Sequence, residues 1–330
     1  MADTRTDISI PPEWALHKAI WTAWPSHADL WEENLIGARL EFSAMVRELA
    51  QADTLKILAC GEEAIASAQA ALGDCAEIIP AAFGDIWLRD TGPIFATTAD
   101  GLVALRFANN GWGGKYTLPG DDTVGDKVAA AAGTPIRRFQ FVLEGGALEH
   151  NGSGTILTTR QCLLNPNRNA NWSQEQAEHY LHAAFNCHRV LWLENGLLND
   201  HTDGHVDNLA RFIATDTVVC QSASGDDDPN ANLYAEIANA LQAMGLTVHL
   251  IPSPGRVSDD EGEIVPASHM NFIIGNAAIV VPTYNTTYGA AATAALQKLF
   301  PAHRVVGVES THLLSGGGSF HCITQQEPVV

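Results

Sequence analysis

Cationic side chains are scarce in this sequence: Lys and Arg number 18 against 38 Asp and Glu, a formal net charge of -20 at pH 7. Long-range repulsion argues against nucleic acid or an anionic membrane surface as a partner and in favour of a small cation. An acidic surface that merely keeps the chain soluble is the plain alternative. Long apolar runs are missing too, since no segment approaches the roughly 20 uninterrupted residues of a membrane span. The opening MADTRTDISIPPEWALHKAI has no basic start followed by an apolar run, so no secretion signal is expected and the expected compartment is the cytoplasm. Cysteine is sparse and scattered, with Cys60, Cys75, Cys162, Cys187, Cys220 and Cys322 forming no C-x-x-C pair, which excludes a disulfide framework and a zinc knuckle. No linker rich in Pro, Gly or Ser divides the chain, so a single domain over residues 1–330 is expected.

What is present is a recurring pattern. GPIFATTADGLVALRF alternates, turns at Asp100-Gly101 and alternates again, as a hairpin does. GALEHNGSGTILTT repeats this around Asn151-Gly152, DNLARFIATDTVVCQ around Thr215-Asp216 and NFIIGNAAIVVPT around Gly275-Asn276. Helical stretches (SQEQAEHYLHAAF, NANLYAEIANALQAM, GAAATAALQKLF) follow, each leading to an isolated apolar strand (RVLWLE, LTVHLIP, RVVGVES). The turns recur roughly every 50 to 60 residues, which suggests packed repeats of an α/β hairpin-helix-strand unit. AIWTAW, LEFSAMVRELA, TLKILA and a terminal strand SFHCIT would complete a ring. A single mixed sheet with repeated hairpins is the alternative reading.

Titratable groups beside glycine stand at comparable places in these units: Asp85, Arg89 and Asp90 in DIWLRDTGP, Glu144 in LEGG, His205 and Asp207 in HTDGHVDN, and Cys322 in GGGSFHC. Glycine lets a ligand approach the backbone, and Gly317 and Gly318 are expected to thin the chain beside a pocket. His205 and Asp207 are two apart, so on an extended strand both would face one ligand. By the same rule His321 would point away from Cys322, leaving His205 as the better partner for the thiol. His201 and His205 as a metal pair fit poorly, because the glycine in HTDGH does not suit the helix that H-x-x-x-H requires. The other five cysteines read as small buried hydrophobes, and SGDDDPN reads as a cap for the helix after it. Arg168 in NPNRN reads as held by structural hydrogen bonds in a turn, and Trp21, Trp24 and Trp31 as packing for the N-terminal helix rather than substrate contacts. Ser319 has no assigned role beyond a turn.

Carboxylates around a cysteine ask for a cation, and a guanidinium offers paired N–H donors in a fixed fork that matches two carboxylates. Its carbon is a target for a thiolate once an amino group can leave as ammonia. The same carboxylates should hold the thiol protonated in the empty site, and a bound cation should relieve that.

The segments IPPEWALHKAIWTAWP, WLRDTGP, NGWGGKY, LEGG, LLNPNRN, TDGHVDN, ASHMNF and GGGSFHCITQQEP together resemble the agmatine deiminase and bacterial-type peptidylarginine deiminase family of the guanidino-group-modifying superfamily. The likeness runs in order from about Pro11 to Pro328. It implies a five-bladed pseudo-symmetric α/β propeller with its site on the axis. By motif match it implies Cys322 as nucleophile, His205 as general acid and base, Asp90 and Asp207 as the guanidinium grip, Glu144 as a substrate and water holder, and Trp87 as a pocket wall. It requires no metal or organic cofactor, and leaves a homodimer and a homotetramer open. Hydrolysis of agmatine to N-carbamoylputrescine and ammonia, a step of polyamine metabolism, is the first expectation. A peptidylarginine or free-arginine deiminase, an amidinotransferase and a non-catalytic polyamine-binding propeller are the alternatives. His269 in ASHMNF and Asn109 in FANNGWGGKY stand where similar sequences often carry aromatics, which bears on the pocket for the substrate's tail.

Overall fold

A computed structural model describes residues 7–330; Met1–Thr6, part of the segment read above for a targeting signal, lies outside the described residues. The chain forms strands β1 (His17–Ala23), β2 (Leu55–Ala59), β3 (Glu77–Pro80), β4 (Ile94–Thr98), β5 (Gly101–Ala108), β6 (Ile136–Val142), β7 (Glu149–His150), β8 (Thr155–Thr159), β9 (Arg189–Leu193), β10 (Ala210–Ala214), β11 (Thr217–Ser222), β12 (Thr247–Pro252), β13 (Ile273–Ile274), β14 (Ala278–Thr283), β15 (Arg304–Glu309) and β16 (Thr324–Pro328). They assemble into five separate sheets, none closed on itself.

Four sheets share one plan: an antiparallel hairpin, then a third strand parallel to the second. They are β4-β5-β6, β7-β8-β9, β10-β11-β12 and β13-β14-β15. A tight turn cannot deliver a parallel neighbour, so a helix makes each crossover: Val124–Ala132, Gln174–Phe185, Ala231–Ala243 and Gly289–Leu299. The local causes are readable. At the β7-β8 turn the Asn151 side chain accepts from the backbone N–H of Ser153 and Thr155 at 2.9 and 3.0 Å. Ser173 starts the second crossover helix, Gln174–Phe185, through a capping box with Gln176. That helix buries Ala177, Leu181 and Phe185, one every four residues, against Leu105, Ile156 and Trp192.

The fifth sheet is built from both ends of the chain in the order β16-β1-β2-β3, with Thr324 opposite Thr22. The sequence reading of a final strand is therefore right in kind but shifted: SFHCIT is not that strand, which starts at Thr324 and leaves Phe320–Ile323 as a turn. The reason is Asn271, whose side-chain oxygen accepts from the N–H of both His321 and Cys322 at 3.0 and 3.2 Å, taking donors that a strand would use in its ladder. Among the described residues no helix is long and apolar enough to cross a membrane.

Candidate active site

Cys322 stands in the turn that precedes β16, with 4% of its surface exposed. The glycines before it leave room that side chains of the site fill. Gly317 has φ +111°, a conformation that L side chains rarely adopt. A Cβ on Gly318 would lie 2.8 Å from Trp87 and 3.1 Å from the Cys322 sulfur. The thiol meets Asn271 Nδ2, which donates to Sγ at 3.0 Å, and its own proton points to Asp207 Oδ2 at 3.7 Å.

Asp90 sits in the one-turn helix Leu88–Thr91, accepting from the Gly146 N–H at 2.9 Å and from the Trp112 indole at 2.8 Å. Glu144 precedes the 3-10 turn Gly145–Ala147, and His205 precedes another, Val206–Asn208, that contains Asp207. His205 and Asp207 thus share the site, although they are not on a strand: the turn, and not the alternation of an extended chain, aims them. Gly146 is the point around which they gather. A Cβ there would lie 2.6 Å from His205 Nδ1, 3.0 Å from Asp90 Oδ1 and 3.1 Å from Asp207 Oδ2, so only a hydrogen allows three charged groups so close to one backbone atom. His205 Nε2 is 3.4 Å from Glu144 Oε2, and Nδ1 is 3.8 Å from Asp90 Oδ2.

These surroundings fix the charges. Burial, with the negative charges of Asp207 and Asp90 adding to it, pushes the Cys322 thiol well above its usual range. Burial would lower His205, but the Asp90 charge and the contacts to Cys162 and Glu144 outweigh it and raise the imidazole well above its ordinary value. Burial raises Asp90, helped by the negative charges of Glu144 and Asp207 and opposed by His205. Burial works against ionised Glu144 and Asp207 as well, yet both are held below the usual carboxylate range, Glu144 by His205 and Arg168, Asp207 by His321 and His205. These directions favour a neutral thiol at Cys322 and a charged imidazole at His205.

The cleft above these groups encloses about 970 Å³, counting its open mouth, with Trp31, Trp87, Trp112 and Tyr116 as walls and Asp90 and Cys322 at depth. Asp85 accepts from the indoles of Trp31 and Trp87 at 3.1 and 2.8 Å and so sets both walls. Arg89, its neighbour in the motif, turns away and clamps Gln325, Gln326 and the His321 carbonyl.

Several expectations need correction. Trp31 is a cleft wall and not only packing, whereas Trp24 does pack on Phe42 of the helix Leu35–Leu49. Of the five other cysteines expected to be buried, Cys75 is exposed and Cys60 half-buried, and Cys162 is more than a buried hydrophobe, lying 3.9 Å from Glu144 Oε2. Arg168 is held by hydrogen bonds as expected, but its Nε donates to Glu144 at 2.9 Å, so it serves the site. His321 does not face away: Nδ1 is 2.7 Å from Asp207 Oδ2. His269 is fully buried and bonded to the Pro252 carbonyl, and Asn109 turns inward to the Gly111 N–H, so neither lines the cleft. In SGDDDPN the N-cap residue Asn230 makes no side-chain cap bond, but Asp228 accepts from the Asn230 N–H at 3.0 Å at the start of the helix and also ties Ser224 and Ser253. Ser319 is buried, its hydroxyl sharing a hydrogen bond with that of Ser310. Trp112 of NGWGGKY and Asn271 of ASHMNF also serve the site; in the sequence each is a polar-capable side chain within a motif, which does not reveal its aim.

Two groups of side chains could converge on a metal ion, Glu144 with Cys162 and His205, and Glu13 with Glu149 and His321, each within 4.8 Å. In both, a guanidinium already supplies positive charge: Arg168 on Glu144, and Arg211 on Glu13 and Glu149. His201, read with His205 as a poor metal pair, lines the cleft and bonds the Tyr116 hydroxyl at 3.2 Å.

Residues 9–328 match the profile of the Porphyromonas-type peptidyl-arginine deiminases. The chain belongs to this family. Among curated members it is 35% identical to the agmatine deiminase of Stutzerimonas stutzeri (strain A1501), over 97% of this chain and 95% of that one. The agmatine deiminase of Enterococcus faecalis, solved catalysing its reaction, superimposes with a TM-score of 0.92 at 28% identity over 98% of this chain and 97% of that one. A serine-substituted agmatine deiminase of C. jejuni with substrate bound gives a TM-score of 0.91, at 28% identity over 97% and 96% of the two chains. The family's α/β fold is thus the fold of this chain.

Proposed function

We propose that this chain is an agmatine deiminase, a hydrolase that cleaves a C–N bond of the guanidinium to give N-carbamoylputrescine and ammonia. The observation that carries the reading is the joint placement of Cys322, Asp90 and Asp207 below an aromatic cleft that no Lys or Arg lines among the described residues. Free arginine would need a cation for its carboxylate, so the lining favours an amine-tailed guanidine.

Asp90 and Asp207 pair with the guanidinium and cancel the negative field that keeps Cys322 protonated. The thiol proton then passes to solvent water and leaves a thiolate, whose sulfur adds to the guanidinium carbon. The His205 imidazolium gives its proton to one amino group, which leaves as ammonia, and a cationic amidino thioether remains on Cys322. Neutral His205 next takes a proton from water that Glu144 helps to hold; the hydroxyl adds to the carbon, the C–S bond breaks, and the departing thiolate takes the extra proton of the ureido product, which restores the thiol and the imidazolium. The scheme uses only groups of this chain and substrate. Its fold counterpart is a five-bladed propeller formed by residues 1–330 as one domain, a reading supported by four like-ordered three-stranded sheets and by the pairing of β16 with β1 in the fifth sheet.

Incubation with agmatine, arginine and an arginine-containing peptide, followed by assay of ureido product, tests the reading. Product from agmatine in preference to the others is expected. Product from the peptide or arginine alone would replace the substrate, and product that persists in Cys322→Ala would refute the thioether.

A further inference from the structure

Asp207 has no exposed surface, and its two oxygens differ: Oδ2 is bound by His321 Nδ1 at 2.7 Å, whereas Oδ1 has no hydrogen-bond partner in the protein. The other ring nitrogen of His321, Nε2, lies 3.0 Å from Glu13 Oε2. We propose that His321 is a positioning residue for the reaction, an imidazolium strut braced on Glu13 that holds Oδ2 of Asp207 and leaves Oδ1 to the guanidinium. The inference rests on the deiminase reading given above.

The ring faces a carboxylate at each nitrogen, and a carboxylate only accepts. A neutral imidazole has one N–H, so both contacts are hydrogen bonds only when the ring carries two. The groups around it suit that charge. Glu13 is itself fixed, its Oε1 accepting from the Ile274 N–H at 2.9 Å and its Oε2 from Arg211. Arg211 also donates to Glu149 and to the carbonyls of Met270 and Phe272. The Arg89 guanidinium holds the His321 carbonyl at 3.2 Å, Asn271 holds its N–H, and Cys322 follows it in the chain. Glu13, Glu149 and Asp207 thus face Arg89, Arg211 and the imidazolium. The strut runs from the N-terminal segment to the active carboxylate, and it keeps Asp207 from turning its bound oxygen toward the substrate.

Two substitutions separate the ring nitrogens, because an Asn amide nitrogen reaches roughly where Nδ1 stands and a Gln amide nitrogen roughly where Nε2 stands. His321→Asn keeps a donor for Asp207 and should retain kcat/KM within about fivefold of the parent. His321→Gln keeps only the Glu13 contact and should lose on the order of 10- to 100-fold, the worth of a charge-assisted hydrogen bond. Neither variant leaves a cation beside Asp207, which would protonate more readily, so the acid limb of kcat/KM against pH should move upward by about one unit in both. A merely structural His321 predicts equal losses in both variants, following thermal stability, with the acid limb unmoved; that result overturns the proposal. If the Gln variant does not fold, Glu13→Gln keeps an acceptor but removes the charge that favours the imidazolium, and should move the acid limb upward while lowering kcat/KM by no more than about fivefold; an unmoved acid limb there overturns it equally. The rate of Cys322 labelling by chloroacetamidine, an amidinium, relative to neutral iodoacetamide reads the same grip without turnover. This ratio should fall about tenfold in His321→Gln and hold in His321→Asn. Equal ratios defeat the strut, whereas a normal ratio pattern with no agmatine turnover in the parent defeats only the proposed activity.

Discussion

Cys322 rests as a thiol because three effects point one way: it is buried, Asp207 lies 3.7 Å from its sulfur, and Asp90 adds a second negative charge. Free cysteine, with a pKa near 8.5, is only partly ionised at neutral pH, and this one is less so. Labelling of Cys322 in the empty protein by iodoacetamide at pH 7 should therefore be slow, and should climb only at pH values above those at which a free cysteine ionises. The sign for Asp207→Asn follows: removal of a negative charge favours the thiolate, so labelling at pH 7 should speed up while turnover falls. Faster labelling in the parent than in the variant would overturn this account. At this scale the sequence was informative about which groups matter and poor on their partners. His205, Asp207, Asp90, Glu144 and Cys322 were singled out by chemistry beside glycine, and the structure brings them together. Cys162, Arg168, Trp112 and Asn271 were not placed, since an indole N–H or an amide acts on whatever lies within about 3 Å, and chain spacing does not encode that distance across more than a hundred positions.

The elements that hold the site are short turns. Gly145–Ala147, Val206–Asn208 and the Phe320–Ile323 turn each end a connection and begin a strand, so the side chains are aimed by backbone that the sheets anchor at one end only. Glycine is what lets these turns come close. Gly318→Ala would put a methyl 2.8 Å from Trp87 and 3.1 Å from the Cys322 sulfur, neither of which can recede without moving the wall or the thiol. It should lower kcat/KM at least about tenfold, a cost of about 1.4 kcal/mol in transition-state stabilisation, with little change in the thermal midpoint. Full activity in the alanine variant would show that the close approach is not needed. Hairpins, crossover helices and their strands were legible because alternation, turn residues and a four-residue apolar spacing are local signals. The functional turns were misread as strands at SFHCIT and GHVDN for a physical reason: a short extended run and a 3-10 turn look alike until a side chain such as Asn271 takes the backbone donors.

At the scale of the whole molecule, the chain's two ends meet in one sheet, and a buried network ties that junction to the rest. Arg211 at the start of the third hairpin binds Glu149 of the second, Glu13 of the N-terminal segment, and the carbonyls of Met270 and Phe272 before the fourth. Arg211→Met would leave Glu13 and Glu149 buried without their cation, and removing one partner of a buried pair costs about 3–5 kcal/mol. Urea denaturation should show that loss as a lower midpoint with unchanged slope; a midpoint equal to the parent's would mean that the network adds little. The sequence by itself determined the repeated hairpin-helix-strand units, the acidic balance that invites a cation, and the set of reactive groups, because each is a property of local pattern or of side-chain chemistry. Only the tertiary structure decided that His321 braces Asp207, that Arg168 serves Glu144, that Trp31 is a wall of the cleft and that His269 is not. Those outcomes depend on which surfaces the packed sheets bring within hydrogen-bond range, and a contact between residues 13 and 321 is set by the folded chain rather than by either neighbourhood.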